Sequence, residues 1–98
     1  MTTLELPREL TYRQARNCLL QLRPKVEAAQ AQQVVMDASR IEVFDSSALA
    51  VLLACRRAAQ EAGKQLLVKG LPKGLRSMAV LYGVDGLLQP PAHPAAAA

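Results

Sequence analysis

The pattern of apolar and polar residues predicts strands in three parts of the chain. Residues 2–6 alternate as in a short strand, and Pro7 ends that strand or confines it to a sheet edge. Residues 33–38 contain the continuous apolar run Val34-Val35-Met36, which is typical of a strand covered on both faces. Residues 65–69 form another apolar strand. We therefore expect the strand at residues 33–38 to lie in the middle of a sheet.

Apolar residues at helical spacing predict a first helix that begins after Thr11, a residue type that caps helices well. The residues that recur at this spacing are Tyr12, Ala15, Leu19, Leu22 and Val26. Pro24 lies well inside the pattern, where it removes one backbone hydrogen bond. The helix therefore either kinks at Pro24, or ends near Leu22 and restarts with Pro24 in a first turn.

Two further helices are predicted after the central strand. Residues 48–62 form the second, which Gly63 can terminate in a left-handed conformation, and residues 75–82 form a short third helix that ends at Gly83. Leu87 and Leu88 suggest a last short strand.

The element order predicts one α/β domain over residues 1–88. Strands that alternate with helices imply a small open sheet, mostly parallel, of about four strands with about three helices. The loops after Ala38 and Val68 then lie at the carboxyl ends of the strands, where open sheets place their functional crevices. Residues 89–98 are dominated by Pro and Ala, so we expect a disordered tail.

Composition argues against several classes of function. Only 3% of the residues are aromatic, so we expect an aliphatic core and not a ligand cavity walled by rings. The net charge of +4 comes from basic residues scattered along the chain, with no run of like charge, which does not favour nucleic-acid binding. No apolar run approaches the roughly 20 residues that span a bilayer, and residues 1–5 lack the charged and apolar regions of a signal peptide, so we expect neither. These features predict a cytoplasmic protein without direct membrane insertion.

The cysteines and the histidine offer no metal or cofactor site. Cys18 and Cys55 fall on apolar helical segments, where a free cysteine usually behaves as a small buried hydrophobe. They lack CxxC spacing, and the single histidine, His93, lies in the tail. We therefore expect no metal, no cofactor and no catalytic histidine.

The polar turn Asp45-Ser46-Ser47 is the strongest functional candidate. Asp45 or Ser46 becomes the N-cap of the second helix, since a side-chain oxygen there accepts from free N–H groups of the first turn. Apolar Ile41 and Phe44 pin the preceding link to the core. As a cap alone, the turn needs no further function.

The face of the second helix behind this turn suggests more than a cap. At about 100° per residue, the core-facing residues are Ala48, Leu49, Val51, Leu52, Cys55 and Ala59. The opposite face carries Ser46, Ala50, Leu53, Ala54, Arg57 and Glu61. Small residues and one exposed leucine replace the usual long charged side chains, which favours a surface where another protein lies closely. A phosphate on Ser46 would alter that binding directly.

The same region resembles a STAS domain, the family of sulfate-transporter and anti-sigma-factor-antagonist domains. That family's signature is an apolar strand ending in Asp, a short link, then Asp-Ser/Thr-Ser/Gly-Gly/Ala-Leu opening a helix. In order, the matching residues are Asp37, Asp45, Ser46, Ser47, Ala48 and Leu49, with Ala48 in place of the more usual glycine. The resemblance covers about residues 2–88 and is specific from the central strand into the second helix.

Two branches of this family fit the chain. In anti-sigma factor antagonists, the second hydroxyl of the turn is phosphorylated by a partner kinase, which implies Ser47. In MlaB-like subunits of phospholipid-transport ABC systems, the position after Asp carries a functional hydroxyl, which implies Ser46. The short chain and the segment Leu81-Tyr82-Gly83-Val84 are more similar to the MlaB branch.

The MlaB resemblance implies a non-enzymatic, cytoplasmic subunit that binds the ATPase (MlaF-like) of an ABC transporter and is peripheral to the inner membrane through that partner. The implied function is phospholipid trafficking and outer-membrane lipid asymmetry. The expected partner-binding residues are Asp45, Ser46, Ser47, Ala50, Leu53, Ala54 and Arg57. The expected phosphorylation sites are Ser47 and Ser46. The alternative is an anti-sigma factor antagonist regulated by serine phosphorylation. A serine hydrolase is disfavoured because the turn lacks a histidine base and the Gly-x-Ser-x-Gly elbow.

Overall fold

The computed structural model describes residues 2–88, which form an α/β domain with parallel strands and three α-helices. In chain order the elements are β1 (Thr2–Glu5), β2 (Glu9–Leu10), α1 (Tyr12–Ala28), β3 (Gln33–Asp37), β4 (Val43–Phe44), α2 (Ser46–Glu61), β5 (Gln65–Lys69), α3 (Lys73–Leu81) and a 3-10 helix (Asp85–Leu87). The predicted fold class is confirmed. The predicted tail at residues 89–98 lies outside the described residues.

The main sheet has three parallel strands in the order β1-β3-β5. Met36 of β3 pairs with Leu4 of β1 on one side and with Val68 of β5 on the other. The run Val34-Val35-Met36 is at most 2% exposed, as expected for a central strand. Right-handed crossovers between neighbouring parallel strands place α1 and α2 on the same face of this sheet.

A second, very small sheet joins the segments that lead into α1 and α2. β2 and β4 pair in parallel, with Glu9 opposite Val43 and Leu10 opposite Phe44. The sequence predicts only a link held to the core by apolar residues before the second helix, and the structure adds this strand pair. Two-residue strands are too short to show a period, so this pairing cannot be predicted from the pattern of apolar residues.

Helix α1 runs through Pro24 as one helix of 17 residues, so the alternative of an end near Leu22 is wrong. Cys18, Leu22 and Val26 form its buried stripe, while Pro24 is exposed. Because the proline lies on the solvent side, water can satisfy the carbonyl that loses its helical partner.

The chain after β5 differs from the prediction at its end. Residues 85–87 form a 3-10 helix, so the expected last strand at Leu87 and Leu88 is wrong. Leu88 is 5% exposed and joins the core that also holds Leu75 and Ala79 of α3. Its apolar character reflects anchoring of this segment to the core and not strand pairing.

Candidate protein-docking site

One carboxylate lies at the start of both helices α1 and α2. Asp45 is the N-cap of α2, and its Oδ1 accepts from the backbone N–H of Ser47 at 2.8 Å. Its Oδ2 accepts from the backbone N–H of Tyr12, the first residue of α1, at 3.0 Å. These N–H donors, that of Tyr12 first, lower the pKa of Asp45, because they favour its charged form. Asp45 therefore positions the two helix starts relative to each other.

The start of α1 is fixed by a capping box. The Thr11 hydroxyl oxygen accepts from the Arg13 N–H at 3.2 Å, and the Thr11 N–H donates to Gln14 Oε1 at 2.9 Å. Tyr12 follows the cap directly and is 69% exposed, with the Arg13 guanidinium 5.7 Å from its ring centroid. The helical spacing groups Tyr12 with residues that are buried or half-buried, whereas the structure places its ring in solvent, and only its backbone N–H contacts Asp45.

Further hydrogen bonds and an ion pair, in addition to the β2–β4 pairing, connect the segments before the two helices. The Arg8 carbonyl accepts from the N–H groups of Glu42 at 2.7 Å and Val43 at 3.1 Å. The Arg8 guanidinium also bonds Glu42 Oε2 at 2.7 Å, an exposed ion pair. Val43 itself is exposed, so a β-branched apolar side chain lies two residues before the Asp45 cap.

Helix α2 separates its two faces largely as predicted. All of the expected core-facing residues are buried, and Ala58 joins them. On the opposite face, Ser46, Ala50 and Arg57 are exposed, whereas Leu53 and Ala54 are half-buried. Leu53 was expected to be exposed, but its side chain packs against the edge of the core. Part of the Leu53 side chain is therefore exposed to solvent and part of it contacts the core.

The two serines of the turn differ in accessibility. Ser46 is the first residue of α2 and is exposed, so its side chain is open to a partner. Ser47 is half-buried and its N–H is held by Asp45. The geometry therefore favours Ser46 over Ser47 for direct contact with another protein.

Tyr12 and Val43 are the residues that sequence reasoning missed at this site. The backbone N–H of Tyr12 donates a hydrogen bond to Asp45, and Val43 lies two residues before Asp45 in the chain. The available signal was weak: an aromatic residue directly after a capping threonine, and an isolated apolar pair before Asp45. We define the docking surface by its members, which are Tyr12, Val43, Ser46, Ala50, Leu53, Ala54 and Arg57.

Within residues 2–88, no group of three or more His, Cys, Asp or Glu is placed to hold a metal ion. Over the same range, none of the helices combines the length and apolar character needed to cross a membrane.

The parallel sheet, its helices and the Asp-capped Ser-Ser helix start define a STAS domain. The sequence matches the family described as Mlab, STAS domain, over residues 1–89, and the chain belongs to this family. No curated protein matches the chain by sequence.

Solved structures show the same fold at low sequence identity. The anti-sigma factor antagonist SpoIIAA in its unphosphorylated form matches with a TM-score of 0.72 and 14% identity, over 97% of this chain and 82% of that one. An anti-sigma-factor antagonist (STAS) domain protein from Planctomyces limnophilus matches with a TM-score of 0.77 and 14% identity, over 97% and 85% of the two chains. At this identity, the likeness concerns the fold alone.

Proposed function

We propose that this protein is a non-enzymatic interaction subunit that binds and supports the ATPase of an ABC transporter for phospholipid trafficking and outer-membrane lipid asymmetry. One observation carries the proposal: the outer face of α2 presents small side chains directly behind Ser46, which is exposed and follows the Asp45 cap. Membership of the Mlab, STAS domain family supports the choice of an MlaF-like ATPase as the partner. The subunit would be cytoplasmic and peripheral to the inner membrane through that partner.

The composition of the docking surface suits a protein partner. Ala50 and Ala54 let a second backbone approach closely, and Tyr12 adds an exposed aromatic ring of the type that dominates binding energy at interfaces. Arg57 supplies a planar guanidinium for a carboxylate of the partner. These side chains suit a close fit centred on α2.

Association with the ATPase tests this proposal through single substitutions on the docking surface. Co-expression with the ATPase and permease, followed by affinity purification, measures the complex. Ala50→Glu and Ser46→Glu place a charged chain where the partner backbone should lie, so each is expected to reduce recovery of the complex at least tenfold. Leu53→Glu is less informative, because Leu53 also packs against the core.

Ala28→Glu is the matched control, since Ala28 is an exposed alanine at the far end of α1. It should leave the complex intact. Unchanged recovery with both Ala50→Glu and Ser46→Glu would remove the basis for the docking surface.

The alternative function, a phosphorylation-regulated anti-sigma factor antagonist, requires that a kinase reach Ser47. It has less support than the transporter function, because Ser47 is half-buried whereas Ser46 is exposed. Incubation with a cognate kinase and ATP, followed by mass spectrometry, separates the two functions. Stoichiometric phosphate on Ser47, without association with an ATPase, would replace the transporter proposal.

A further inference from the structure

The outer edge of β1 is open in the part of the chain that the structure describes. β1 is the first strand in the order β1-β3-β5, so it has a neighbour on one side only. The Leu6 N–H donates to the Asp37 carbonyl of β3 at 3.0 Å, and successive residues of a strand point their backbone groups to opposite sides. The N–H and C=O groups of Thr3 and Glu5 therefore point away from β3. Among residues 2–88, neither strand pairing nor a loop hydrogen bond reaches them.

β1 lacks the features that usually protect a sheet edge, which are lysine, proline or a bulge on the edge strand. β5, at the opposite edge, ends in the exposed Lys69. β1 pairs with β3 without a bulge, and residues 2–6 contain no lysine or proline. The charge of Glu5 is compensated by Arg40 at 2.9 Å. Pro7 has no N–H and ends the segment that can pair. The open edge therefore has a defined length.

An open groove of about 420 Å³ lies beside this edge, between β1 and α1. The buried side chains of Leu6, Cys18 and Leu22 line its floor. Its wall on α1 is a row of polar side chains at four-residue spacing: Arg13, Asn17, Gln21 and Lys25. Leu4 is half-buried and packs against the margin of the core. The core is therefore incompletely covered along the β1 side, and one more strand at this edge would cover it.

The sequence of β1 is complementary to itself when two copies pair antiparallel about a twofold axis. With the axis at Leu4, Thr3 lies opposite Glu5 of the second copy, and each of these two pairs exchanges two backbone hydrogen bonds between the open groups. Leu4 then lies against its own copy. A shift of the register in one direction places Glu5 opposite Glu5, which is unfavourable, and a shift in the other direction pairs fewer of residues 2–6.

We propose that β1 pairs with β1 of a second copy of this chain, so that two three-stranded sheets become one continuous sheet in a symmetric homodimer. Both α1 helices then lie on the same face of that sheet. Because α1 packs over β1 and β3, the two α1 axes lie about two strand spacings apart, about 10 Å, which is the distance between packed helices. The amides of Asn17 and Gln21 both donate and accept, so they can bond their own copies. The helices supply the area that a short strand pair lacks.

Disulfide formation at the twofold axis tests the register. Leu4→Cys places two thiols in a non-hydrogen-bonded antiparallel pair, where Cα atoms lie about 4.5 Å apart, within the range that a disulfide bridges. Oxidised glutathione should convert most of this variant to a covalent dimer, measured on non-reducing gels. Thr2→Cys is the matched control, because residue 2 is also half-buried on the same face of β1. Its two copies lie more than about 13 Å apart, so it should stay monomeric.

Sedimentation equilibrium of the full chain, from micromolar to millimolar concentration, measures the dimer itself. Thr3→Pro should leave the monomer folded, because this N–H takes no part in the pairing with β3, and should weaken dimerisation about tenfold or more through two lost hydrogen bonds. Thr3→Glu places like charges opposite Glu5 and should weaken dimerisation roughly fivefold. Thr3→Lys places opposite charges there and should strengthen it by a similar factor. Circular dichroism confirms that each variant is folded.

Three results would overturn the proposal: a wild-type chain that stays monomeric at millimolar concentration, equal disulfide formation in Leu4→Cys and Thr2→Cys, or shifts in the same direction for Thr3→Glu and Thr3→Lys. Because no residue of the docking surface lies on β1, each of these results would leave the docking proposal untouched.

Discussion

The carboxylate of Asp45 accepts a hydrogen bond from the backbone N–H of Tyr12 at 3.0 Å, although 33 positions separate the two residues in sequence. The other carboxylate oxygen caps the helix that Asp45 itself precedes. Free N–H groups at a helix start need acceptors and attract negative charge. One anion therefore serves two helix starts, and the exposed Tyr12 and Ser46 owe their relative placement to it.

Removal of this shared cap should destabilise the domain more than removal of an ordinary cap. Asp45→Ala leaves N–H donors of α1 and α2 without their acceptor, so we expect its melting temperature to fall by roughly 5–10 °C. Asp45→Asn keeps one acceptor oxygen, so its melting temperature should fall by less. Thermal unfolding followed by circular dichroism measures this. Ser46→Ala is the control and should melt within about 2 °C of wild type; an equal effect of Asp45→Ala and Ser46→Ala would contradict the shared cap.

Asp37 should contribute a pH-dependent part of the stability. Its Oδ1 accepts from the Ser39 hydroxyl at 2.6 Å and the Ser39 N–H at 3.0 Å, and chiefly the hydroxyl bond lowers the Asp37 pKa. A carboxyl with a lowered folded-state pKa stabilises the fold above its unfolded value of about 3.9, and this contribution is lost as pH falls through the folded value.

Ser39→Ala should therefore raise the Asp37 pKa toward its ordinary value and lower stability at neutral pH. The stability difference from wild type should close in acid. Carbon-13 NMR titration of the Asp37 carboxyl and urea unfolding across the acid range measure both effects. Ser77→Ala, at an exposed position on α3, is the control and should change neither quantity. A stability difference that persists unchanged at the acid end would exclude the linkage.

Replacement of Pro24 should stabilise the protein. Pro24→Ala restores an N–H for the helical hydrogen bond to the Leu20 carbonyl, and alanine has the best helix propensity. The gain is reduced because the unfolded chain becomes more flexible, so we expect about 1–2 kcal/mol in the free energy of unfolding. Urea denaturation measures it, with Lys25→Ala at the neighbouring exposed position expected within about 0.5 kcal/mol of wild type. A loss of stability in Pro24→Ala would mean that the proline is needed for the path of α1.

The two thiols should be unreactive in the folded protein. Cys18 and Cys55 are 8% and 0% exposed, and burial raises the pKa of Cys55 to about 11. The thiolate is the reactive form, so alkylation at pH 8 should be slow for both residues and should accelerate strongly in denaturing urea. Mass spectrometry of iodoacetamide-treated protein measures the rates, and rapid modification of native Cys55 would show that α1 and α2 separate readily.

The elements that the sequence predicts correctly are those long enough to show an apolar run or a helical repeat. The run Val34-Val35-Met36 identified the central strand, and helical spacing separated the two faces of α2. The prediction of a last strand at Leu88 was wrong because the sequence does not distinguish an apolar residue that pairs in a strand from one that packs into the core. β2 and β4 have two residues each, so no period existed to be read.

The sequence predicts the candidate-site residues that are neighbours along α2, and it does not predict those brought there by contacts between distant parts of the chain. Asp45, Ser46 and the face of α2 follow from neighbouring residues along one helix. Tyr12 belongs to the site only because its N–H meets Asp45 in space, and no pattern within α1 distinguishes it from a core position. Leu53 is half-buried because tertiary packing at the edge of the core reaches further around α2 than the helical period indicates.

The pairing of β2 with β4 determines where the chain can tolerate extra residues. Since Leu10 lies in register with Phe44, an insertion in either segment would shift one helix start against the other and separate Tyr12 from Asp45. At the other end of the helices, Gly63 turns the chain with nothing within 4 Å of where a side chain would begin. A fluorescent reporter or affinity tag inserted there, built with glycine to preserve the turn, would leave α2 and the two helix starts in their native register.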